Sequence, residues 1–153
     1  MSGILYCSGQ SGKRVNYARV EQFIARLDQL RPMQAFLEGF CARADIAREA
    51  CLRLNLVVEE LFTNTVKHGH RGDCDAPVWV AVSRSGDAVQ LIYEDKAPPF
   101  NPYARLRDES PDITLELRKV GGLGVLLTKE LAATRDYAYL FGRNRIRLTL
   151  SPA

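Results

Sequence analysis

The sequence has 153 residues, of which 46% are hydrophobic and 25% are charged, a composition typical of one soluble globular domain with its own core. The formal net charge is only +3, and no dense stripe of basic residues is present, which argues against direct binding of nucleic acid. No apolar run approaches the length of a membrane span, so no association with a membrane is predicted.

The four cysteines are scattered along the chain, at Cys7, Cys41, Cys51 and Cys74. A disulfide-stabilised domain would be smaller and richer in cysteine, so reduced thiols and a cytoplasmic location are expected. Four potential metal ligands also lie close together in the sequence: His68, His70, Cys74 and Asp75. No second ligand pair follows at the spacing that zinc requires, so a polar loop after a helix is the better interpretation.

The first half of the chain predicts a leader, a strand and two helices. Residues 1–19 are expected to form a flexible leader without the pattern of a signal peptide, and residues 20–153 to form the domain. A short strand is predicted over residues 20–26. Pro32 suits the first turn of a helix, whose apolar stripe consists of Met33, Phe36, Leu37 and Phe40. A second helix is predicted over roughly residues 46–68, after a polar break at residues 43–45.

The second half of the chain predicts two hairpins separated by irregular segments. Strands are expected at residues 78–83, 88–94, 137–141 and 145–150, with turns at 85–87 and 142–144. Three prolines exclude regular structure from residues 95–102, and residues 103–120 are typical of a long mobile lid. Residues 121–124 then open a helix that is predicted to end at about Thr134. The fold class is α+β, with two layers: helices on one face of a mixed, mostly antiparallel sheet.

The second predicted helix carries a polar stripe beside its apolar face. Helical periodicity directs a group of side chains into the core, namely Leu54, Val58, Leu61, Phe62 and Thr65. Glu60, Asn64 and Lys67 share another side of the helix, flanked by Leu56 and Val57. An amide oxygen is a good magnesium ligand, and a carboxylate can activate a hydroxyl for attack on a phosphoryl group. A solvated helix face explains the same stripe equally well.

Two further elements are suited to binding a nucleotide. Asp95 ends a predicted strand beside the rigid segment 97–100, where a carboxylate can accept the amine of a purine that lies on apolar groups. The glycine-rich turn at residues 121–124 allows the backbone to approach a phosphate, and a helix begins there. A turn-initiating Asp and a flexible hinge are the alternatives for each element alone. The order of all three elements, with a lid-like segment between the last two, favours a nucleotide site.

These segments resemble the motifs of the histidine-kinase-like (GHKL) ATPases. Residues 60–69 (ELFTNTVKHG) are similar to the N box, residues 95–100 (DKAPPF) to the first glycine box, and residues 121–124 (GGLG) to the second. The resemblance covers roughly residues 20–151 and implies the two-layer GHKL (Bergerat) fold. The compact size and the Pro-Pro-Phe variant resemble the branch of anti-sigma-factor serine/threonine protein kinases.

The resemblance implies a role for each matching residue. Glu60 would be the general base and Asn64 the ligand of Mg²⁺, while Asp95 would bind the adenine amine in a pocket shaped by Ala97 and Phe100. The residues expected near the phosphates are Gly121, Gly122, Leu123 and Gly124. Lys67 and His68 are further candidates for contact with the nucleotide or the lid. The usual glycine of the first box is replaced by Lys96-Ala97, which we expect to tighten the approach to the base.

The resemblance also implies an activity and partners. Members of this branch are homodimers that hold a sigma factor inactive and use ATP to phosphorylate a serine on an antagonist of the STAS-domain type. A non-catalytic nucleotide-binding module that sequesters a sigma factor or another partner remains open, because it would need the same pocket. The ATPase domain of a sensor histidine kinase is a weaker alternative, because no histidine precedes His68 to serve as a phosphoacceptor.

Overall fold

The computed structural model describes residues 3–5, 17–103 and 132–150, and the side chains of 17–103 and 134–150. The strands are β1 (Gly3–Leu5), β2 (Tyr17–Ile24), β3 (Pro77–Ser85), β4 (Ala88–Asp95), β5 (Ala132–Leu140) and β6 (Arg143–Leu150). The helices are α1 (Leu30–Arg43), preceded by a 3₁₀ turn at Leu27–Gln29, and α2 (Arg48–Asn64), continued by a π-helical turn at Thr65–Gly69. No described helix is both long and apolar enough to span a bilayer.

The strands form a six-stranded sheet in the order β1-β2-β3-β4-β6-β5. Each pair of neighbouring strands is antiparallel. Strand β4 lies inside the sheet between β3 and β6, and its last residue, Asp95, is paired with Asn144 at the start of β6. The sheet therefore places the chain segment that follows β4 beside the beginning of β6.

The two helices among the described residues pack on one face of the sheet, and the strands bury alternate side chains against them. In β3 the side chains of Val78, Val80 and Val82 are buried against the helices, while the residues between them lie on the open face. Helix α1 contributes Met33, Phe36, Leu37 and Phe40 to the same core, and α2 contributes Leu54, Val57, Val58, Leu61 and Phe62. This arrangement confirms the predicted α+β fold with helices on one face.

The C-terminal hairpin corrects one sequence-based boundary. The helix expected to reach about Thr134 is wrong over its last residues, because β5 already begins at Ala132. Strand β6 extends to Leu150, and Ala132 is its partner there, so pairing with a long neighbouring strand determines the conformation of these residues. The turn between β5 and β6 is shorter than predicted and has Phe141 and Gly142 at positive φ, 54° and 74°.

The N-terminal part of the chain also differs from expectation. The flexible leader expected over residues 1–19 contains a strand, Gly3–Leu5, which is paired with β2. Strand β2 begins at Tyr17 and ends at Ile24, displaced by a few residues from the predicted 20–26. Tyr17 is buried and its ring stacks on Phe40 with centroids 5.6 Å apart, a contact that fixes the start of β2. The division into a leader and a domain stays a prediction.

Candidate functional site

One side of the candidate site is the C-terminal half of α2. Glu60 and Asn64 lie one turn apart on this helix, and both side chains are half-buried. Lys67 and His68 follow in the π-helical turn and are exposed. The polar stripe predicted from the sequence is therefore present, and its first two members lie at the margin of the core rather than in open solvent.

The facing side of the site is Asp95, a buried residue that is 7% exposed. Its Oδ2 accepts a hydrogen bond from the hydroxyl of Thr65 at 2.7 Å. Its Oδ1 accepts two more, from the backbone N–H of Ala97 at 3.1 Å and from the side-chain amide of Asn144 at 2.8 Å. Because Thr65 directly follows Asn64, these bonds join the end of β4 to the predicted magnesium-binding turn of α2.

Thr65 also contacts the phenol of Tyr93, one pleat before Asp95 on the same face of β4. The Thr65 and Tyr93 oxygens are 2.7 Å apart, and the Thr65 hydroxyl lies 3.0 Å from the carbonyl oxygen of Leu61. Burial raises the pKa of Tyr93 well above its usual value, and the nearby Asp95 charge adds to this. Tyr93 is therefore a neutral hydroxyl group within the core at physiological pH.

Asn144 fastens the segment after β4 to the neighbouring strand. Its side-chain amide also donates to the carbonyl oxygens of Ala97 at 3.0 Å and Pro98 at 3.2 Å. Its Oδ1 accepts from the backbone N–H of Phe100 at 3.0 Å and from the Tyr137 hydroxyl at 2.6 Å. A segment rich in proline cannot form a sheet ladder of its own, and the buried side chain of Asn144 supplies three of its hydrogen bonds.

Close packing joins the π-helical turn to the same segment. A Cβ placed on Gly69 would lie only 2.6 Å from the Cβ of Ala97, so the methyl group of Ala97 occupies the space beside a residue without a side chain. This contact fixes the position of Ala97 against the π-helical turn, whereas its effect on the approach to the base stays a prediction. The Phe100 side chain is 63% exposed, so it presents an apolar surface at the end of this segment.

The opposite face of β4 carries a second carboxylate in a different environment. Glu94 is paired with Arg145 at 2.7 Å and with Arg143 at 3.1 Å. The guanidinium of Arg143 in turn lies 3.5 Å from the ring centroid of Trp79. The two adjacent carboxylates at the end of β4 therefore have different partners. Glu94 is held by two arginines on the open face of the sheet, whereas Asp95 is held by uncharged donors on the face that the helices cover.

The arrangement fits an adenine nucleotide at the positions described. Glu60, Asn64, Asp95 and Ala97 are brought to one region through the Thr65–Asp95 bond and the Gly69–Ala97 contact, while Gly121, Gly122, Leu123 and Gly124 lie outside the described residues. Asp95 retains an acceptor position for an amine donor. Among the described residues, no group of three or more His, Cys, Asp or Glu side chains is arranged to hold a metal ion.

Two members of this network were not identified as site residues from the sequence. Thr65 was assigned only to the core, and Asn144 only to a turn. A buried carboxylate needs donors, and a threonine on an otherwise apolar helix face is one signal that could have pointed to the first of them. The second depends on the pairing of Asn144 with Asp95 across the sheet, which has no local signal in the sequence.

Comparison with known proteins identifies the family. The model of the histidine kinase-like ATPase domain matches residues 23–150. The chain belongs to this family. Membership in the histidine kinase-like ATPase family confirms the resemblance seen in the three sequence motifs. It agrees with the α+β architecture and implies ATP binding.

Curated relatives within the histidine kinase-like ATPase family include serine-protein kinases. The chain is 31% identical over 98 residues to the serine-protein kinase RsbW of Listeria monocytogenes serovar 1/2a. It is 30% identical over 98 residues to the protein of the same name from Listeria innocua serovar 6a. Each alignment covers 62% of this chain, and the chain spans 62% of the length of each relative.

Proposed function

We propose that this protein is an ATP- and Mg²⁺-dependent serine/threonine protein kinase of the anti-sigma type. The observation that carries the proposal is the junction of α2 with the end of β4, where Thr65 joins the turn of Glu60 and Asn64 to the buried Asp95. The likeness to proteins named serine-protein kinase RsbW supports the same activity. The substrate is a serine or threonine on an antagonist of the STAS-domain type.

Each residue has one task in this proposal. The Asp95 carboxylate accepts the adenine amine, with Ala97 and Phe100 shaping the pocket, and the Asn64 amide oxygen holds Mg²⁺. When bound, MgATP would supply the γ-phosphoryl group, and MgADP would leave as the bond between the γ-phosphorus and the β,γ-bridging oxygen breaks. The Glu60 carboxylate takes the proton from the substrate hydroxyl as its oxygen attacks phosphorus, which prevents the build-up of positive charge on that oxygen. The remaining task, contact with the phosphates, is assigned to the turn at residues 121–124, with Lys67 and His68 as further candidates.

The proposed partners are a sigma factor, held inactive by a homodimer of this chain, and the antagonist that is phosphorylated. The free thiols of Cys41, Cys51 and Cys74 are consistent with a cytoplasmic location. A nucleotide-loaded module that sequesters a partner without transferring phosphate uses the same pocket, and the experiment below separates the two.

The test is phosphoryl transfer from labelled ATP to the purified antagonist, alongside calorimetric titration with ATP in the presence and absence of Mg²⁺. Glu60→Gln should lower the transfer rate by about 10²–10⁴-fold while the Kd of ATP changes little, because a general base acts in the chemical step. Glu59→Gln is the matched control: it removes a neighbouring half-buried carboxylate of the same helix and should leave transfer intact.

Three outcomes would contradict parts of the proposal. Full transfer by Glu60→Gln would remove Glu60 from the chemistry. ATP binding by the wild type without any transfer would identify the non-catalytic module instead. No binding of ATP in either condition would overturn the whole proposal.

A further inference from the structure

We propose that Thr65 is a positioning residue that makes the pocket selective for a 6-amino purine, and that the buried Tyr93 directs the Thr65 hydroxyl toward Asp95. The inference rests on the proposed nucleotide site and adds two residues to it. Neither is predicted to touch the phosphates, so their effect should appear in the choice of base.

The direction of the hydrogen bonds follows from the number of protons available. The Thr65 oxygen lies 2.7 Å from both Asp95 Oδ2 and the Tyr93 oxygen, yet a hydroxyl has a single proton to donate. An ionised carboxylate accepts hydrogen bonds and donates none, so Thr65 must donate to Asp95. Tyr93 then donates to Thr65. The chain of donors therefore runs from Tyr93 through Thr65 to Asp95.

This direction sets what Asp95 can bind. A carboxylate offers about four acceptor positions, and the donors Thr65, Ala97 and Asn144 occupy three of them. The remaining position is on Oδ2, the oxygen whose orientation Thr65 fixes. It matches the exocyclic amine of adenine and repels the carbonyl oxygen that guanine carries at the same ring position, because two acceptors would face each other.

A simpler explanation for Thr65 is the bond that a threonine within a helix makes to the carbonyl four residues earlier. The Thr65 hydroxyl does lie 3.0 Å from the carbonyl oxygen of Leu61. Its distances to Asp95 and Tyr93 are shorter, and a bond to a charged acceptor is about twice as strong as a neutral one. A residue that served only to fill space on the buried side of α2 would work equally well as valine, which is the basis of the test.

The test compares the Kd of ATP with that of the triphosphate of purine riboside, which lacks the 6-amino group. The wild type should prefer ATP by about tenfold or more, as expected for a hydrogen bond to a buried charged group. Thr65→Val keeps the shape and removes the donor, so the preference should fall to about threefold or less. Thr65→Ser keeps the hydroxyl and should retain most of the wild-type ratio. Thr63→Val, the same substitution on the same helix, should leave the ratio unchanged.

Tyr93→Phe provides a second measurement, which decides the matter if Thr65→Val does not fold. Without the phenol, no group donates to the Thr65 oxygen and one of the two bonds that orient this hydroxyl toward Asp95 is lost, so the preference for ATP should fall in this variant too. If folded Thr65→Val keeps the wild-type preference for ATP, this inference is overturned while the proposed function stands. If Thr65→Val does not fold, the same result in Tyr93→Phe has the same consequence. Absence of ATP binding by the wild type overturns the proposed function and this inference with it.

Discussion

Gly69 lies directly against Ala97, and replacing it with alanine tests whether this contact holds the site together. A Cβ at position 69 would lie 2.6 Å from the Cβ of Ala97, whereas two carbon atoms normally approach no closer than about 3.5 Å. Both atoms are fixed to the backbone, so no change of rotamer relieves the overlap of about 1 Å. Either the π-helical turn or the segment after β4 must move.

The expected cost of Gly69→Ala is about 1–3 kcal/mol in the free energy of unfolding, the range for an extra methyl group forced into a packed region. Ala97→Gly removes the opposing methyl group, so the double variant Gly69→Ala/Ala97→Gly should recover stability relative to Gly69→Ala alone. Urea unfolding of the four proteins gives a double-mutant cycle, in which we expect a coupling energy of about 1 kcal/mol or more. The Kd of ATP should weaken in Gly69→Ala and recover in the double variant.

Gly39→Ala is the control for the substitution itself. The nearest atom to a Cβ at position 39 is the end of the Arg19 side chain at 3.4 Å, an ordinary contact with a flexible group. Because Gly39 lies within α1, alanine should leave stability unchanged or raise it by up to about 1 kcal/mol. Wild-type stability of Gly69→Ala, or additive effects of the two substitutions in the cycle, would refute the argument from packing.

Two further predictions concern stability. Phe141 is 99% exposed and has a φ of 54°, a conformation that asparagine tolerates better than phenylalanine. Phe141→Asn should therefore raise the free energy of unfolding, measured in urea, by about 0.5–1 kcal/mol, because no packing is lost. A decrease would contradict this prediction. Because the pKa of Tyr93 is raised in the folded protein, its phenol stabilises the fold fully below the pKa of an unfolded tyrosine, about 10. This contribution to the free energy of unfolding is lost as the pH rises from there through the pKa of the folded state. The stability advantage of the wild type over Tyr93→Phe should thus be constant up to about pH 10 and shrink above it, and an advantage that grows there would be inconsistent with a buried neutral phenol.

The hydrophobic periodicity of the sequence predicted which residues of a single helix are buried. The core positions assigned to α2, from Leu54 to Thr65 at helical spacing, are all buried, because burial on a single helix follows from 3.6 residues per turn. The same reasoning failed to separate Leu56 from Val57, which were both placed beside the polar stripe. Val57 is fully buried and Leu56 is 48% exposed, a difference that depends on where α1 and the sheet lie.

Features created by pairing between distant strands could not be predicted in this way. The sequence around Ala132 continues a helical pattern, yet its conformation is set by β6, which begins more than ten residues later. The site shows the same limit: Asp95 was recognised from its neighbours, whereas its partner Asn144 reaches it only because β4 and β6 are adjacent. Roles assigned to the turn at residues 121–124 stay predictions.

The length of the turn between β3 and β4 controls which face of the sheet each of the two carboxylates at the end of β4 occupies. Strands β3 and β4 are joined by Gly86 and Asp87, and only Gly86 has a positive φ there, 62°, which fits a tight type II′ turn. Since side chains alternate between the faces of a strand, one residue inserted into this turn can shift the pairing of β4 by one position. Glu94 would then face the helices without its arginines, and Asp95 would lie on the open face. A loop at the far end of the hairpin from Asp95 thus determines which of the two acids lies on the helical face, at the proposed nucleotide site.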